Sequence, residues 1–523
     1  MITLLDYGAG NVRSVVNAIE RLGETIRTVE APEDILSAEK LVFPGVGAFG
    51  SMMEVLHRKN YAQPLIAYIE SGRPILAICV GLQALFEGSD EAPGVEGLGV
   101  FKGRVRRFDT ALSVPHIGWN GLVVRQPSIL FKDLKGDEKF YFVHSYYVDP
   151  EANDIVLTTT DYGTPFVSAI QKGRLVATQF HPEKSGHAGS IVLKNFLNDA
   201  AEAVRPPVAL TESLLAKRII ACLDVRANDR GDLVVTKGDQ YDVRESGEVR
   251  NLGKPVELAG RYYREGADEI TFLNITGFRD FPLEDMPMLN VLEETSKNVF
   301  VPLTIGGGIR DYTDKDGRRY TALEVAAEYF RSGADKVSIG SDAVDIAQAY
   351  LRSGEKTGKS AIEAISRVYG SQAVVISIDP RRVYVPSPDA VPHRVIETAI
   401  PGPDGERYCW YQCTVKGGRE GRDLDAISLA RACEDLGAGE ILLNCIDRDG
   451  TGQGFDTELI NAVKAAVSIP VIASSGAGCE DHFLEVFTRT DAESALAAGI
   501  FHREEVPIER VKLYLDGKVE IRP

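Results

Sequence analysis

GADEITFLNIT (266–276) is echoed far along the chain by GAGEILLNCID (437–447). Each copy has a glycine turn, then an acidic residue or glycine and a glutamate, then an apolar run the length of one strand. VPLTIGGG (301–308) against IPVIASSG (469–476), and CLDVR (222–226) against SIDPR (377–381), repeat the echo. Three such pairs point to duplication of a half-barrel. The apolar runs of this region can be counted: RIIACLDV, EITFLNIT, VPLTIGGG, KVSIGS, AVVISIDP, EILLNCID, IPVIASSG and SALAAGIF, with helical patterns between them. Eight strand–helix units in about 300 residues is the arithmetic of a (β/α)8 TIM barrel.

Upstream, residues 1–203 also alternate short apolar runs with helical patterns: ITLLDYG, KLVFPGVG, PILAICVG, FYFVHSYY and LVATQFHPE. That alternation predicts a mostly parallel sheet flanked by helices, an α/β domain of its own. AEAVRPPVALTES (201–213), with two adjacent prolines and no period, reads as the connection. The expected division is a first domain over 1–203, a linker over 204–216 and the barrel over 217–523. A chain of 523 residues requires such a division, because single cores stop growing at about 250–300 residues.

The balance of 58 basic and 76 acidic residues gives a formal charge of −18. A nucleic-acid partner is thereby excluded, since phosphate backbones need a basic footprint, and any anionic substrate must be held by local sites. No apolar stretch is long enough to span a bilayer. The opening MITLLDYGAGN reads as a strand and turn, leaving a cytosolic enzyme as the expectation, or a plastid one if the chain is a processed form. Seven irregularly spaced cysteines fit a reducing compartment. Cys409 and Cys413 lack a matching Cys/His pair, so no metal and no cofactor is expected.

In ILAICVGLQALF (75–86), Cys79 stands where an apolar strand meets a helix, with Gly81 making room for the turn. A thiol on such a corner leaves the sheet, and the helix N-terminus favours its thiolate. Alone, it would be read as a packed small hydrophobe. Two other segments change that. In VATQFHPEKS (176–185), His181 and Glu183 are two apart and leave an extended backbone on one side, so the carboxylate can orient the imidazole while the imidazole moves protons. FPGVGAFG (43–50) places glycines straight after a strand, where free N–H groups can meet an oxyanion.

PGVGAFG, CVGLQ and HPEKS together resemble the three signature segments of class I glutamine amidotransferases. The resemblance implies a Cys79, His181, Glu183 triad that releases ammonia from glutamine through a thioester. It further implies glutamine binding by Gln83, and oxyanion donors from Gly45, Val46 and the Val80 amide.

Ammonia in neutral water is protonated, so a dry path to an acceptor site is expected, and the barrel should supply it. Barrel chemistry sits at the C-terminal ends of strands. Asp224 and Asp379 end the first and fifth strands, corresponding places of the two halves, and face each other across the mouth as an acid/base pair. A single Asp there would as readily cap a loop. IGGGIRD (305–311) with SIGSDA (338–343), and SSGAG (474–478) with AAGIFH (497–502), form two symmetric sets of small residues. Their backbone N–H groups would cradle phosphate without net charge. Two sets imply a substrate with a phosphate at each end.

LAKRIIACLDVR, VVTKGD, GADKVSI, GSQAVV, GAGEILL and IDRDGT resemble the cyclase family of imidazole glycerol phosphate synthases. Fused behind a glutaminase, the whole is similar to the bifunctional histidine-biosynthesis enzymes of fungi and plants. The resemblance implies Asp224 and Asp379 as the cyclase acid/base pair, Gly308, Gly340 and Ser341 at one phosphate, and Asp449, Gly450, Gly476, Ala498 and Gly499 at the other end, with Asp449 near the glycerol hydroxyls. Lys237, in a polar loop after the first strand, resembles a family lysine on a lid. Small-molecule partners, glutamine and a bisphosphorylated ribonucleotide, and a monomer carrying both activities are expected.

The resemblance also implies that ammonia enters the barrel past Arg218, Glu269, Lys336 and Glu440. By spacing alone these four, at strand starts in AKR, ADE, ADK and AGE, are equally a solvated rim of salt bridges. Asn274 stands where bacterial cyclases usually carry Asp and receives no catalytic role. The segment Tyr384–Gly421 is longer than in bacterial cyclases and reads as an elaborated surface loop and hairpin. Two competing readings are a glutaminase serving another synthase, against which no G-x-x-x-x-G-K-[ST] phosphate loop is present, and a catalytically silent regulator, against which every required side chain is present.

Overall fold

The eight apolar runs of the second half form eight parallel strands in a computed structural model that describes residues 1–8, 10–198, 214–228, 232–236, 244–245, 248–249, 251–275, 283 and 286–523. They are Arg218–Ala227, Glu269–Asn274, Leu303–Gly306, Lys336–Ile339, Val374–Ile378, Glu440–Asn444, Val471–Ser474 and Ser494–Ala497. Each pairs with the next, and the eighth returns to the first, Ser494 opposite Arg218. The sheet closes, so no edge is left to pair with another chain. Helices such as Pro255–Arg264, Pro287–Ser296 and Ala322–Arg331 run back outside it. Thr321 stops the last of these from fraying: its hydroxyl accepts from the Glu324 amide and the Glu324 carboxylate accepts from the Thr321 amide.

Strand periodicity fixes what faces inward. Residues two apart share a side, and Arg218, Ile220, Cys222 and Asp224 form one such series on the first strand. Ile220 and Cys222 meet Val375, Leu442, Ile472 and Leu496 in an apolar cluster inside the barrel. Glu440, Leu442 and Asn444 form the matching series on the sixth strand.

The first half is built on a ten-stranded sheet, and the expectation of a mostly parallel sheet needs correction. Five strands are parallel, in the order Ile26–Thr28, Ile2–Leu4, Lys40–Phe43, Ile75–Ile78 and Leu175–Thr178. The remainder, including Pro165–Lys172 and Val156–Asp161, is added antiparallel. Short connections produce this, since only antiparallel neighbours can be joined by a tight turn. FYFVHSYY is not one strand either. Phe140–His144 pairs with His116–Asn120 in a separate two-stranded sheet, and Tyr146–Pro150 pairs with Gly103–Arg107 in the main one.

That small sheet joins the two halves. Ile117, Trp119 and Tyr141 belong to the barrel's hydrophobic core rather than to that of the first domain. Trp119 is fully buried, donates from its indole to the Asp268 carbonyl at 3.2 Å, and is covered by the Arg522 guanidinium 4.4 Å from its ring. Lys184 and Asp335 form a 2.7 Å ion pair across the junction, and Asn11 donates to the same carboxylate at 2.8 Å. Of the expected linker, 214–216 are described, and Ala216 donates to the Trp119 carbonyl at 2.8 Å.

The long segment after the fifth barrel strand is more ordered than a loop and hairpin. Pro380–Val385, Val395–Glu397, Tyr408–Val415 and Glu420–Asp425 make an antiparallel four-stranded sheet. Arg382 fastens it to the barrel through a 2.7 Å ion pair with Asp456, and its amide donates to Asp447 at 2.7 Å.

Candidate active sites

Cys79 sits at φ 52°, ψ −110°, between the strand Ile75–Ile78 and the helix Val80–Ala84. This backbone is costly for a side-chain-bearing residue and is found where the surroundings impose it. The crowding is visible at the neighbouring glycines: a Cβ on Gly45 would stand 2.0 Å from the Gly81 nitrogen, and one on Gly81 would stand 2.6 Å from the Phe43 carbonyl oxygen. Glycine at both positions lets FPGVGAFG press against the corner. Val80, first in its helix, has no carbonyl one turn back to accept its N–H.

His181 Nδ1 lies 2.7 Å from Glu183 Oε1, with both residues buried. Burial works against a charged imidazole, but the Glu183 carboxylate and the Cys79 sulfur outweigh it, and the His181 pKa rises well above the usual value. The neighbouring carboxylate and sulfur therefore favour the imidazolium form of His181. Gln179 was not foreseen: its amide donates to Cys79 Sγ at 3.4 Å and accepts from Gln83 Nε2 at 3.2 Å. Gln83 also donates to the Tyr146 carbonyl at 3.0 Å, and its Oε1 is buried without a partner among the described residues. The Val46 amide is engaged, donating to the Tyr7 hydroxyl at 2.9 Å, while that hydroxyl donates to the Val46 carbonyl at 2.6 Å. In this structure the Val46 N–H is thus turned away from an oxyanion role.

The cavity at Cys79 faces the barrel. It is lined by Gly45, Val80, His181 and Tyr141 from the first domain and by Phe330, Asp335, Tyr369 and Ala373 from the second. Asp335 and Ala373 immediately precede barrel strands, so the thiol looks at the barrel's N-terminal end. A second junction cavity places Glu91, Ser145 and Tyr146 opposite Ser366, Ser371 and Glu434. Burial pushes the Glu91 carboxyl up against the bond it accepts from the Phe49 amide.

Arg218, Glu269, Lys336 and Glu440 are the first residues of barrel strands one, two, four and six, and all are fully buried. Arg218 reaches Glu269 at 2.8 Å and also bonds Glu440; Lys336 reaches Glu269 at 2.7 Å and Glu440 at 2.6 Å. The alternative of a solvated rim is therefore overturned: the first domain covers the ring. Burial opposes ionisation of Glu440, but Arg218 and Lys336 more than offset it and hold its carboxyl below the usual range. Tyr141 connects the ring with the Cys79 cavity, which it lines. Burial raises the pKa of its phenol, which also feels the charges of Glu269, Arg218 and Glu440.

At the other end of the barrel, one cavity is lined by Asp224, Asp449, Gly450, Gly476, Ala498 and Gly499. The expected residues of the second phosphate end thus share a wall with one of the two acids. Asp379 follows the fifth strand, accepts from Asn444 Nδ2 at 2.9 Å, and has its backbone carbonyl held by the Thr414 hydroxyl at 2.6 Å. Burial raises its pKa, the Asn444 bond lowers it, and the Asp449 charge raises it further; the net shift is upward, toward the protonated acid. Gly308 follows the third strand at φ +79°, Gly340 precedes the helix Ser341–Ser353, and the Ser341 hydroxyl accepts from the Lys416 amide at 3.1 Å. Lys237 lies outside the described residues. Asn274 is buried and bonds the Tyr329 hydroxyl.

Two family models match the chain: "Glutamine amidotransferase class-I" over residues 3–200 and "Histidine biosynthesis protein" over residues 218–507. Imidazole glycerol phosphate synthase hisHF, chloroplastic, of Arabidopsis thaliana is 62% identical, over 100% of this chain and 89% of its own length. The imidazole glycerol phosphate synthase hisHF of Schizosaccharomyces pombe is 57% identical over 98% of each, and that of Emericella nidulans 54% identical over 99% of this chain and 98% of its own. With both modules present in one polypeptide and the similarity running end to end, the chain belongs to the bifunctional imidazole glycerol phosphate synthases.

Proposed function

We propose that glutamine is hydrolysed at Cys79 and that its ammonia crosses the barrel to a bisphosphorylated ribonucleotide held between Asp224 and Asp379. The Cys79 thiolate attacks the side-chain amide carbon. The Val80 N–H faces the developing oxyanion, and His181, held by Glu183, protonates the departing ammonia. A thioester remains, and His181 draws a proton from the water that hydrolyses it to glutamate. Gln83 and the cavity of Glu91, Ser145 and Tyr146 would hold the rest of the glutamine.

Ammonia then passes Arg218, Glu269, Lys336 and Glu440 and the apolar cluster of Ile220, Cys222, Val375, Leu442, Ile472 and Leu496. At the mouth it adds to the ketone of phosphoribulosyl formimino aminoimidazole carboxamide ribonucleotide, and water is expelled. Ring closure at the formimino carbon yields imidazole glycerol phosphate and releases aminoimidazole carboxamide ribonucleotide. Asp379, with its raised pKa, is the acid, and Asp224 the base. Gly308, Gly340 and Ser341 take one phosphate, and Gly450, Gly476, Ala498 and Gly499 the other, with Asp449 on the glycerol hydroxyls.

The observation that carries this reading is the shared face of Arg218, Ile220, Cys222 and Asp224, which runs from the ring beside the Cys79 cavity to the acid, a span of about 20 Å at strand rise. Glutamine labelled with ¹⁵N in its amide, supplied with excess unlabelled ammonium, tests it. Label retained in the imidazole product supports enclosed transfer, and dilution to the bulk level refutes it. We place the division between the activities at 204–216 and take the chain to act as a monomer, which sedimentation at working concentration checks. The cytosol is the expected compartment, with a plastid the alternative that the plant relative's name raises; fractionation separates them.

A further inference from the structure

We propose that His502 contacts the substrate, giving a neutral N–H from Nε2 to the phosphate held at the Gly476 and Ala498–Gly499 end, and that Tyr262 positions it. The inference rests on reading that end as a phosphate site. His502 closes the short helix Gly499–His502 and is only 9% exposed, yet it lines the same cavity as Asp224, Gly476, Ala498 and Gly499. Its two ring nitrogens have different surroundings. Nδ1 lies 2.5 Å from the Tyr262 hydroxyl. That hydroxyl accepts from Arg261 Nη2 at 3.2 Å, and among the described residues His502 Nδ1 is the acceptor within reach of its own proton, which assigns that proton to the Nδ1 contact. Nδ1 is then the acceptor and the ring proton resides on Nε2.

Nε2 is buried and has no hydrogen-bond partner among the described residues. A donor kept dry and unpaired is costly unless another state of the protein satisfies it. An oxygen-rich ligand in this cavity does so. Burial, with the charges of Arg261 and Arg503, pushes the His502 pKa down to about 4, so the ring stays neutral. Arg503 is itself paired with Glu505 at 2.6 and 2.9 Å. His502 therefore adds a directed donor of the same uncharged kind as the backbone amides of the neighbouring loops.

The test is ammonium-dependent cyclisation by the full chain with the acceptor concentration varied. His502→Leu removes the donor, and His502→Gln keeps an amide N–H near the place of Nε2. We expect the leucine variant to raise KM for the acceptor about tenfold or more, with kcat less affected, and the glutamine variant to stay within about threefold of the parent. Tyr262→Phe, which frees the tautomer, should raise KM by a smaller factor. In the parent labelled with ¹⁵N-histidine, the signal absent from the leucine variant should report the Nε2–H tautomer and shift when acceptor is added. An unchanged KM in His502→Leu, a glutamine variant as poor as the leucine one, or an Nδ1–H tautomer each overturns the proposal. Ala498→Asp separates the underlying reading, because a carboxylate in that loop repels phosphate. If it raises KM while His502→Leu does not, the phosphate end stands without His502; if it leaves KM untouched, the phosphate reading and this inference fall together.

Discussion

Replacing Lys336 with methionine probes the ring at the base of the barrel. Two cations and two carboxylates alternate there, each cation touching both acids, and the group sums to zero charge with none of the four exposed. Methionine fills much of the lysine stem's volume but leaves Glu269 and Glu440 sharing the single guanidinium of Arg218. Removing one partner from a buried pair costs about 3–5 kcal/mol, because the orphaned charge has no water to turn to. The sign of the pH dependence should also invert. In the parent, Glu440 has a depressed pKa. It contributes stability above its unfolded pKa of about 4.3 and loses it as pH falls through the lower folded value. In Lys336→Met, burial dominates and one carboxyl binds its proton more tightly in the folded than in the unfolded chain. Stability then falls as pH rises above the unfolded pKa, by up to about 1.4 kcal/mol per unit until the raised folded pKa is passed. The variant should lie closer to the parent at about pH 5 than at about pH 8, read as the urea midpoint of the barrel transition. A variant with the parental midpoint at both would show that water fills the ring and that the burial argument is wrong. Glutamate release should also exceed imidazole product, since ammonia leaks from an opened base.

Four other substitutions separate the parts of the machine. Cys79→Ala should abolish product formation from glutamine and leave ammonium-dependent cyclisation near the parental rate; loss of both would misplace the division of labour. Asp379→Asn should slow cyclisation by about 10²–10⁴ even with ammonium supplied, while basal glutamate release persists, and a near-parental rate would remove Asp379 as the acid. Thr414→Val takes one of two bonds from the Asp379 carbonyl and should lower kcat about threefold to tenfold at unchanged KM, with Thr414→Ser restoring it. Gly45→Ala places a Cβ 2.0 Å from the Gly81 nitrogen and should cost about 3 kcal/mol with loss of glutaminase activity; a stable, active variant would mean the corner is looser than drawn.

The barrel was legible because its signals are local. Each strand is a short apolar run set off by charged or glycine-containing turns, so RIIACLDV or KVSIGS can be counted without knowing what lies beside it. Cys79, His181 and Glu183 were legible for the same reason, each being fixed by its own few neighbours. What sequence could not show depends on partners distant in the chain. AKR, ADE, ADK and AGE show four charges at strand starts, but whether water reaches them depends on Trp119 and Tyr141, which no spacing connects to the barrel. Gln179 had a faint signal, lying two before His181. Asn444, Tyr7 and the Asn11–Asp335 contact had none. FYFVHSYY was misread because both of its halves are apolar enough to be strands, and only the partners of each reveal the change of sheet at Ser145.

The ring raises a question that packing alone does not answer. Well-packed apolar residues of similar volume commonly replace a buried ion pair without loss of stability, so stability is a weak reason for four charges at the barrel's base. The layer above them, Ile220, Cys222, Val375, Leu442, Ile472 and Leu496, is already apolar, so an apolar base would have continued it without a change of character. The charges differ from an apolar plug in what they admit. Ammonium would have to shed its water and displace Lys336 or Arg218 from carboxylates that each already bridges, whereas ammonia carries no charge to compete for them and can hydrogen-bond both an acid and a cation in passing. On the function proposed above, a ring of zero net charge would thus discriminate protonation state, and discrimination at this point would keep the nitrogen a nucleophile on its way to the acceptor.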